Sequence, residues 1–143
     1  MYWDNCKSCR LNGTRPVCAI IPLADGAPEI GIIGEAPGQV EDSTGLPFQG
    51  RAGEELNKAI ERVDAALRVE GLQGIHRDSL FVGNIVMCRP PDNKLGANEV
   101  KCCFPILEQT IRGVPSLKVL VPMGNTALSK LMGFGGKHSG GIT

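Results

Sequence analysis

The chain alternates between short apolar runs and longer amphipathic segments. The apolar runs PEIGII (28–33), SLFVGNIV (79–86) and SLKVLVPM (116–123) are predicted to be buried β-strands. Three segments are predicted to be α-helices, at 52–71, 98–113 and 124–133. Gly71 is the predicted end of the first helix, and Asn98 is the predicted N-cap of the second. The tail at 134–143 is predicted to be a flexible loop.

The alternating order of strands and helices sets the fold class. Such strands run parallel and are joined by right-handed crossovers. The sequence therefore predicts an α/β fold, a three-layer α/β/α sandwich around a central, mostly parallel sheet, in a single domain covering residues 1–143. Ligands of such sheets bind beyond the carboxyl ends of the strands, where we expect Gly34, Asn84 and Gly124 to gather.

The glycine-rich loop GEAPGQVEDSTGLPFQGRAG (34–53) is a candidate binding site. Its glycines allow backbone N–H groups to approach a small polar ligand closely. It is not a Walker loop, because no Gly-Lys-Ser/Thr follows, and its glycine spacing is not that of a dinucleotide-binding turn. In this interpretation Phe48 is a stacking platform for a flat ring. The alternatives are a plain turn and a core phenylalanine.

Polar side chains near the predicted strand ends suggest a ligand. The amide of Asn84 offers one acceptor and two donors, which suits the edge of a pyrimidine; the alternative is an Asn that satisfies nearby backbone. Arg89 and Lys94 lie on a stiff proline turn from which they can reach phosphates. The alternative for both is a solvated loop.

Net charge and hydropathy exclude some classes of protein. The formal net charge is zero, so any contact with nucleic acid is expected from a local patch rather than a uniformly basic surface. No stretch approaches the length of a membrane span, and the N-terminus has no apolar signal core. We expect an intracellular, cytoplasmic protein, either nucleoid-associated or in the cytoplasm of a virus's host.

The six cysteines indicate a metal site, because disulfides are rare inside cells. The thiolates available are those of the Cys6-x-x-Cys9 pair, Cys88 and the adjacent Cys102 and Cys103. Four such thiolates suit either zinc or an iron–sulfur cluster, and spacing alone does not decide between the two. Cys18 is interpreted as a small buried apolar residue.

Several of these motifs occur together, in order, in one known family. The segments GEAPG (34–38), GLPFQGRAG (45–53), VGNIVMCRPP (82–91), KCCFPILEQTI (101–111) and VLVPMGNTAL (119–128) resemble the uracil-DNA glycosylase superfamily, specifically its iron–sulfur branch. The resemblance is collinear from Cys6 to Thr143. It implies that the substrate is DNA containing uracil.

The resemblance also implies a [4Fe–4S] cluster, with residues 1–27 as a cluster-binding segment. The implied ligands are Cys6, Cys9, Cys88 and Cys103. The family's fourth cysteine precedes a Pro-x-Leu step, which CFPIL matches better from Cys103 than from Cys102. The spacing from Cys88 is slightly shorter than the usual pattern, so Cys102 remains an alternative.

The resemblance assigns roles within the glycine loop. It implies that Glu35 orients or activates the attacking water, that Phe48 stacks on a flipped uracil and that Asn84 recognises its edge. The implied pocket wall is Gly34, Ala36, Pro37 and Gly38. The residues expected to contact DNA are Arg51, Arg89 and Lys94. The implied reaction flips the base and hydrolyses its N-glycosidic bond, leaving an abasic site.

The family pattern continues beyond position 143, to a His-Pro motif whose histidine donates toward uracil O2. Relative to that pattern the fold is expected to be C-terminally short. Three explanations compete: a fragment, a split gene whose second polypeptide completes the fold, or a degenerate member. The last would be an iron–sulfur module that binds DNA or a partner without cleaving. A structural zinc domain is a further alternative.

Overall fold

The computed structural model describes residues 2–22 and 27–133. The strands are β1 (Ile30–Gly34), β2 (Phe81–Asn84) and β3 (Val119–Pro122). The α-helices are α1 (Gln39–Thr44), α2 (Arg51–Val69), α3 (Ala97–Arg112) and α4 (Asn125–Met132). Short 3-10 helices cover Tyr2–Ser8, Arg77–Ser79 and Pro91–Asn93. The tail predicted as a loop lies outside the described residues.

The three strands form a parallel sheet in the order β2-β1-β3. The last residue of β1, Gly34, is in register with the last residue of β2, Asn84. Ile33 of β1 is in register with Pro122, where β3 ends. The carboxyl ends of all three strands therefore meet at one edge, which confirms the predicted position of Gly34 and Asn84.

Helices cover both faces of the sheet. The side chains of neighbouring β1 residues point to opposite faces, so each face presents apolar side chains that a helix can bury. Ile32 belongs to an apolar cluster with Leu56 and Ile60 of α2. Ile33 is fully buried in a second cluster, with residues of α3 such as Leu107. Ala127 of α4 lies in that second cluster. The predicted α/β fold is confirmed, with α2 on one face and α3 and α4 on the other.

The strands are shorter than predicted, and β2 shows why. The consecutive amides of Ile85 and Val86 donate to the consecutive carbonyls of Gly34 and Glu35, at 2.8 and 2.9 Å. A parallel ladder instead uses alternate residues, so regular pairing stops at Asn84. This irregular step turns the chain out of the sheet immediately after the candidate site residue.

The start of α3 differs from the sequence prediction. Asn98, the predicted N-cap, lies inside the helix, and Gly96 is the N-cap. The N–H of Gly96 donates to Glu99 Oε2 at 2.5 Å. The helix also continues through Pro105. Burial of the neighbouring Ile106, which is 3% exposed, offsets part of the cost of that proline.

No helix among the described residues combines the length and apolar character that a membrane crossing needs.

Candidate active site and cysteine cavity

A cavity of about 210 Å³ opens at the carboxyl edge of the sheet. It is lined by Gly34, Glu35, Ala36, Glu41, Phe48, Ala52, Asn84 and Met123. Five of these are residues of the predicted site or its wall. Of the other predicted wall residues, Pro37 is buried and Gly38 is the N-cap of α1, and neither lines the cavity.

A polar amide and an aromatic ring converge on the backbone of Gly34. A Cβ atom at this position would lie 2.5 Å from Asn84 Oδ1 and 2.6 Å from Phe48 Cζ. Any side chain at Gly34 would therefore displace the amide, the ring or both. Glycine is required here because the ring edge and the amide oxygen occupy the space beside it.

Phe48 serves both the core and the cavity. Its side chain is 6% exposed and packs in the cluster that contains Ile32 and Leu56. Its backbone has φ +54°, a left-handed conformation that is uncommon for a residue with a side chain. A Cβ atom on Gly53 would overlap the carbonyl of Phe48, so the first turn of α2 presses against this strained residue.

Glu35 lies at the solvent-exposed mouth of the cavity. Thr126, in the first turn of α4, donates its hydroxyl proton to Glu35 Oε2 at 2.8 Å. The two residues are 91 positions apart. Sequence analysis missed Thr126, although its segment GNTAL was among the motifs that carried the resemblance.

The glycine loop contains a helix that sequence analysis also missed. α1 lies between Gly38 and Gly45, which ends it with the left-handed φ of +76°. The helix buries Glu41, whose Oε1 accepts a hydrogen bond from the Gly50 N–H at 3.1 Å. The loop is thus folded around a buried carboxylate that also lines the cavity.

The residues predicted to contact DNA lie at the surface. Arg51 is exposed at the start of α2, and Lys94 is exposed after the Pro91–Asn93 turn. Arg89 is half-buried, and its Nε donates to Asn93 Oδ1 at 3.2 Å. Arg89 also lines an open cleft with Arg10, a residue that sequence analysis did not single out.

A second cavity, of about 260 Å³, collects five of the six cysteines. The thiol side chains that line it are those of Cys6, Cys9, Cys88, Cys102 and Cys103. Cys18 lies elsewhere and is exposed, so its interpretation as a buried apolar residue is wrong. The segment that carries it is bonded to β2 through the Ile20–Val82 pair, with hydrogen bonds of 2.8 and 3.1 Å.

The thiols share the cavity without converging on a point. No three His, Cys, Asp or Glu side chains of residues 2–22 and 27–133 are placed to hold one metal ion. Four thiolates around a single zinc ion would lie about 2.3 Å from the metal. Soft sulfur donors of this kind can bind either zinc or an iron–sulfur cluster, and the arrangement of the five thiols does not decide between the two.

The charge environment of the cavity favours a cationic group among the thiols. Burial raises the pKa of the Cys103 thiol to about 11; the Met87 N–H, 3.3 Å from its Sγ, lowers the pKa, and the neighbouring thiols raise it. The pKa values of Cys6 and Cys9 are also raised, first by burial. Several thiolates in one cavity therefore repel each other unless a cationic group lies among them.

Comparison with known proteins identifies the family. The model of the uracil DNA glycosylase superfamily matches residues 22–142. The chain belongs to this superfamily. The family assignment made from the motifs is thereby confirmed, and the matched range contains both the cavity at the carboxyl edge of the sheet and three of the five cysteines that line the second cavity.

Members of this superfamily with curated descriptions cover most of the chain. The Type-4 uracil-DNA glycosylase of Pyrobaculum aerophilum is 34% identical over 138 residues, which are 94% of this chain and 63% of the relative. The Type-4 enzyme of Sulfurisphaera tokodaii is 33% identical over 142 residues, 97% of this chain and 59% of the relative. The chain thus spans about 60% of the length of these relatives.

Proposed function

We propose that this superfamily member is a DNA repair glycosylase that binds a uracil flipped out of DNA and hydrolyses its N-glycosidic bond. The observation that carries the proposal is the convergence of the Phe48 ring and the Asn84 amide beside Gly34, in a cavity with Glu35 at its mouth. The names of the Type-4 relatives support the same activity.

Recognition of the base uses the inner part of the cavity. The ring of Phe48 provides an aromatic surface for stacking, and the amide of Asn84 pairs with the imide edge of uracil. Asn84 is 4% exposed, so its hydrogen bonds to a ligand would form away from competing water. The missing side chain at Gly34 allows both groups to lie directly against its backbone.

Hydrolysis uses the outer part of the cavity. The hydroxyl of Thr126 holds Oε2 of Glu35, and Oε1 can then accept a proton from a water molecule directed at the sugar C1′. The bond from C1′ to the base breaks, and its electrons leave with uracil as an anion. Stabilisation of charge developing at uracil O2 is the remaining requirement of the site.

The thiol cavity would hold a [4Fe–4S] cluster through Cys6, Cys9, Cys88 and Cys103. The role of such a cluster here is structural, because it would link the N-terminal segment to the loop after β2 and to α3. Arg51, Arg89 and Lys94 would contact DNA phosphates. Localisation with intracellular DNA, in the cytoplasm or nucleoid, follows from this activity.

Uracil excision tests the function. The purified chain is incubated with a labelled oligonucleotide containing one uracil, and alkali then cuts any abasic site. We expect cleavage by the wild type and by the exposed-amide control Gln109→Ala, and a loss of about a hundredfold or more in Asn84→Ala. Circular dichroism confirms that each variant is folded.

The outcomes separate this function from its main alternative. A folded wild type that binds uracil-containing DNA tightly but never cleaves it would support the non-catalytic iron–sulfur module. Equal activity of wild type and Asn84→Ala would contradict the role of the cavity. A folded protein that neither cleaves nor prefers uracil-containing DNA would contradict the proposal as a whole.

A further inference from the structure

Arg77 lies outside the cavity, but its guanidinium is bonded to the loop that carries the aromatic ring. Nη2 donates to the carbonyl oxygens of Pro47 and Phe48, at 2.8 and 2.7 Å. Nη1 donates to Asn57 Oδ1 of α2, also at 2.8 Å. One side chain therefore joins the loop to the helix packed beneath it.

The Pro47–Phe48 backbone needs a restraint of this kind. Phe48 has a left-handed φ of +54°, a conformation that persists only where the surroundings impose it. Gly53 presses on the Phe48 carbonyl from the side of α2. The Arg77 guanidinium holds the same carbonyl by hydrogen bonding, so two independent constraints act on one peptide unit.

Arginine suits this task better than lysine would. Its planar fork donates from two nitrogens in fixed directions, Nη2 to the loop and Nη1 to Asn57 of α2, whereas an ammonium is a single point charge on a flexible stem. Both loop partners of Arg77 are neutral backbone carbonyls rather than carboxylates. Burial lowers the pKa of Arg77 and the adjacent Asp78 raises it, and the guanidinium stays charged at neutral pH.

We propose that Arg77 is a positioning residue for base recognition: its fork holds the Pro47–Phe48 backbone so that the Phe48 ring edge stays beside Gly34 and Asn84. This inference rests on the proposed function, because it assigns to Arg77 the geometry of the stacking platform. Loss of the fork would let the peptide unit relax and would move the ring away from the position where a flipped base stacks.

The test compares Arg77→Met, which removes the donors, with Arg77→Lys, which keeps the charge. Arg62→Met is the matched control, because it removes an exposed arginine of α2. We expect single-turnover excision of uracil to fall about tenfold in Arg77→Met, with little change in affinity for DNA. Arg77→Lys should fall nearly as far, because one ammonium cannot replace the fork.

A double-mutant cycle with Phe48→Ala distinguishes positioning from general stability. Adding Arg77→Met to Phe48→Ala should cause no further loss of excision rate, because the ring to be positioned is gone. Full rescue by Arg77→Lys would indicate a phosphate contact and would overturn the proposal. An equal loss with and without the Phe48 ring would overturn it too.

Hydrogen exchange gives a readout that does not need catalysis. Arg77→Met should speed exchange of the Gly50 amide, which is bonded to Glu41 Oε1, while Arg62→Met should not. If the wild type excises nothing, the proposed function fails. Unchanged exchange at Gly50 in Arg77→Met would then show that Arg77 does not hold the loop, and would overturn this inference as well. If Phe48→Ala slows excision but Arg77→Met does not, only the Arg77 inference fails.

Discussion

At the scale of single residues, the candidate site depends on contacts between distant parts of the sequence. Gly34, Phe48 and Asn84 could be predicted, because each lies in a motif or at a strand end. Thr126 and Arg77 could not, because their hydrogen bonds join positions 91 and about 30 residues apart. Periodicity and local motifs carry no information about such pairs, which exist only once the sheet has formed.

The bond between Thr126 and Glu35 leads to a residue-scale prediction. Thr126→Val keeps the shape of the side chain and removes the hydroxyl, so Glu35 loses the donor that orients its carboxylate. We expect uracil excision to fall about tenfold in this variant, because a misplaced general base acts less efficiently. Single-turnover rates measure the effect.

Thr126→Ser is the matched control, because it retains the donor and removes only a methyl group. It should excise uracil at close to the wild-type rate. A Thr126→Val protein as active as the wild type would show that Glu35 is oriented by other groups. Thermal unfolding of both variants reveals any loss of activity that comes from instability.

At the scale of elements, long periodic segments were predicted better than short ones. The 19-residue helix α2 lies close to its predicted bounds, and Gly71, with φ +73°, follows its end as expected. α1 was missed because six residues among glycines and prolines give no measurable period. Its stability comes from the buried Glu41, which accepts the Gly50 N–H from outside the helix, and from the Gly45 cap, whose N–H donates to the Glu41 carbonyl.

The loop that follows α2 is held by one carboxylate. Asp64 Oδ1 accepts a hydrogen bond from the Ile75 N–H at 2.9 Å, and Arg68 Nε lies 3.0 Å from Oδ2. The hydrogen bond from Arg68 is the main reason that the pKa of Asp64 lies below its usual 3.8. Ile75, the residue held by this carboxylate, lies two residues before Arg77, so the hydrogen bond helps to place Arg77.

A pH-dependence prediction follows from the lowered pKa of Asp64. A carboxyl group with a lower pKa in the folded state stabilises that state above its unfolded pKa, and the stabilisation disappears as pH falls through the folded pKa. The free energy of unfolding should therefore fall more steeply below about pH 4 in the wild type than in Asp64→Asn. Urea unfolding at several pH values measures both slopes.

Asp64→Asn keeps an oxygen that can accept the Ile75 bond, so the comparison isolates the charge. Lys58 and Glu55 form an exposed ion pair on the same helix, and Glu55→Gln is the matched control. Its pH dependence should resemble that of the wild type, because exposed pairs contribute little. Parallel curves for the wild type and Asp64→Asn would contradict the prediction.

At the scale of the whole molecule, the two cavities are joined by one short segment. Asn84 lines the cavity at the carboxyl edge of the sheet. Cys88, four residues later, lines the cavity that contains the five cysteines. The N-terminal segment reaches the start of α3 through Arg10, whose Nε lies 2.7 Å from Glu99 Oε1. That Glu99 side chain is only 3% exposed, so the ion pair is partly withdrawn from water.

The contacts of the two thiols support the proposal of Cys103, rather than Cys102, as the fourth ligand. Both thiols line the cavity, but only Cys103 accepts the Met87 N–H, at 3.3 Å, which directs its sulfur toward the segment that carries Cys88. The Cys102 sulfur instead lies 3.8 Å from Ser8 Oγ and 3.9 Å from Asn98 Oδ1. The contacts favour Cys103 as the fourth ligand.

Loss of that ligand should therefore affect the protein beyond the thiol cavity. We expect Cys103→Ser to lose most of its bound iron and sulfide, whereas Cys102→Ser should retain both and the broad visible absorbance of the wild type. Without the cluster, the N-terminal segment would keep the Arg10–Glu99 pair and the hydrogen bond from Asn98 Nδ2 to the Ser8 carbonyl, at 3.3 Å. Trypsin should then cut more rapidly after Lys7 and Arg10 in Cys103→Ser than in Cys102→Ser.

A Cys103→Ser protein that keeps its iron while Cys102→Ser loses it would reverse the ligand assignment. Equal tryptic cleavage of iron-loaded and iron-free protein would show that the cluster does not hold this segment, and that the Arg10–Glu99 pair and the apolar contacts of the segment are sufficient.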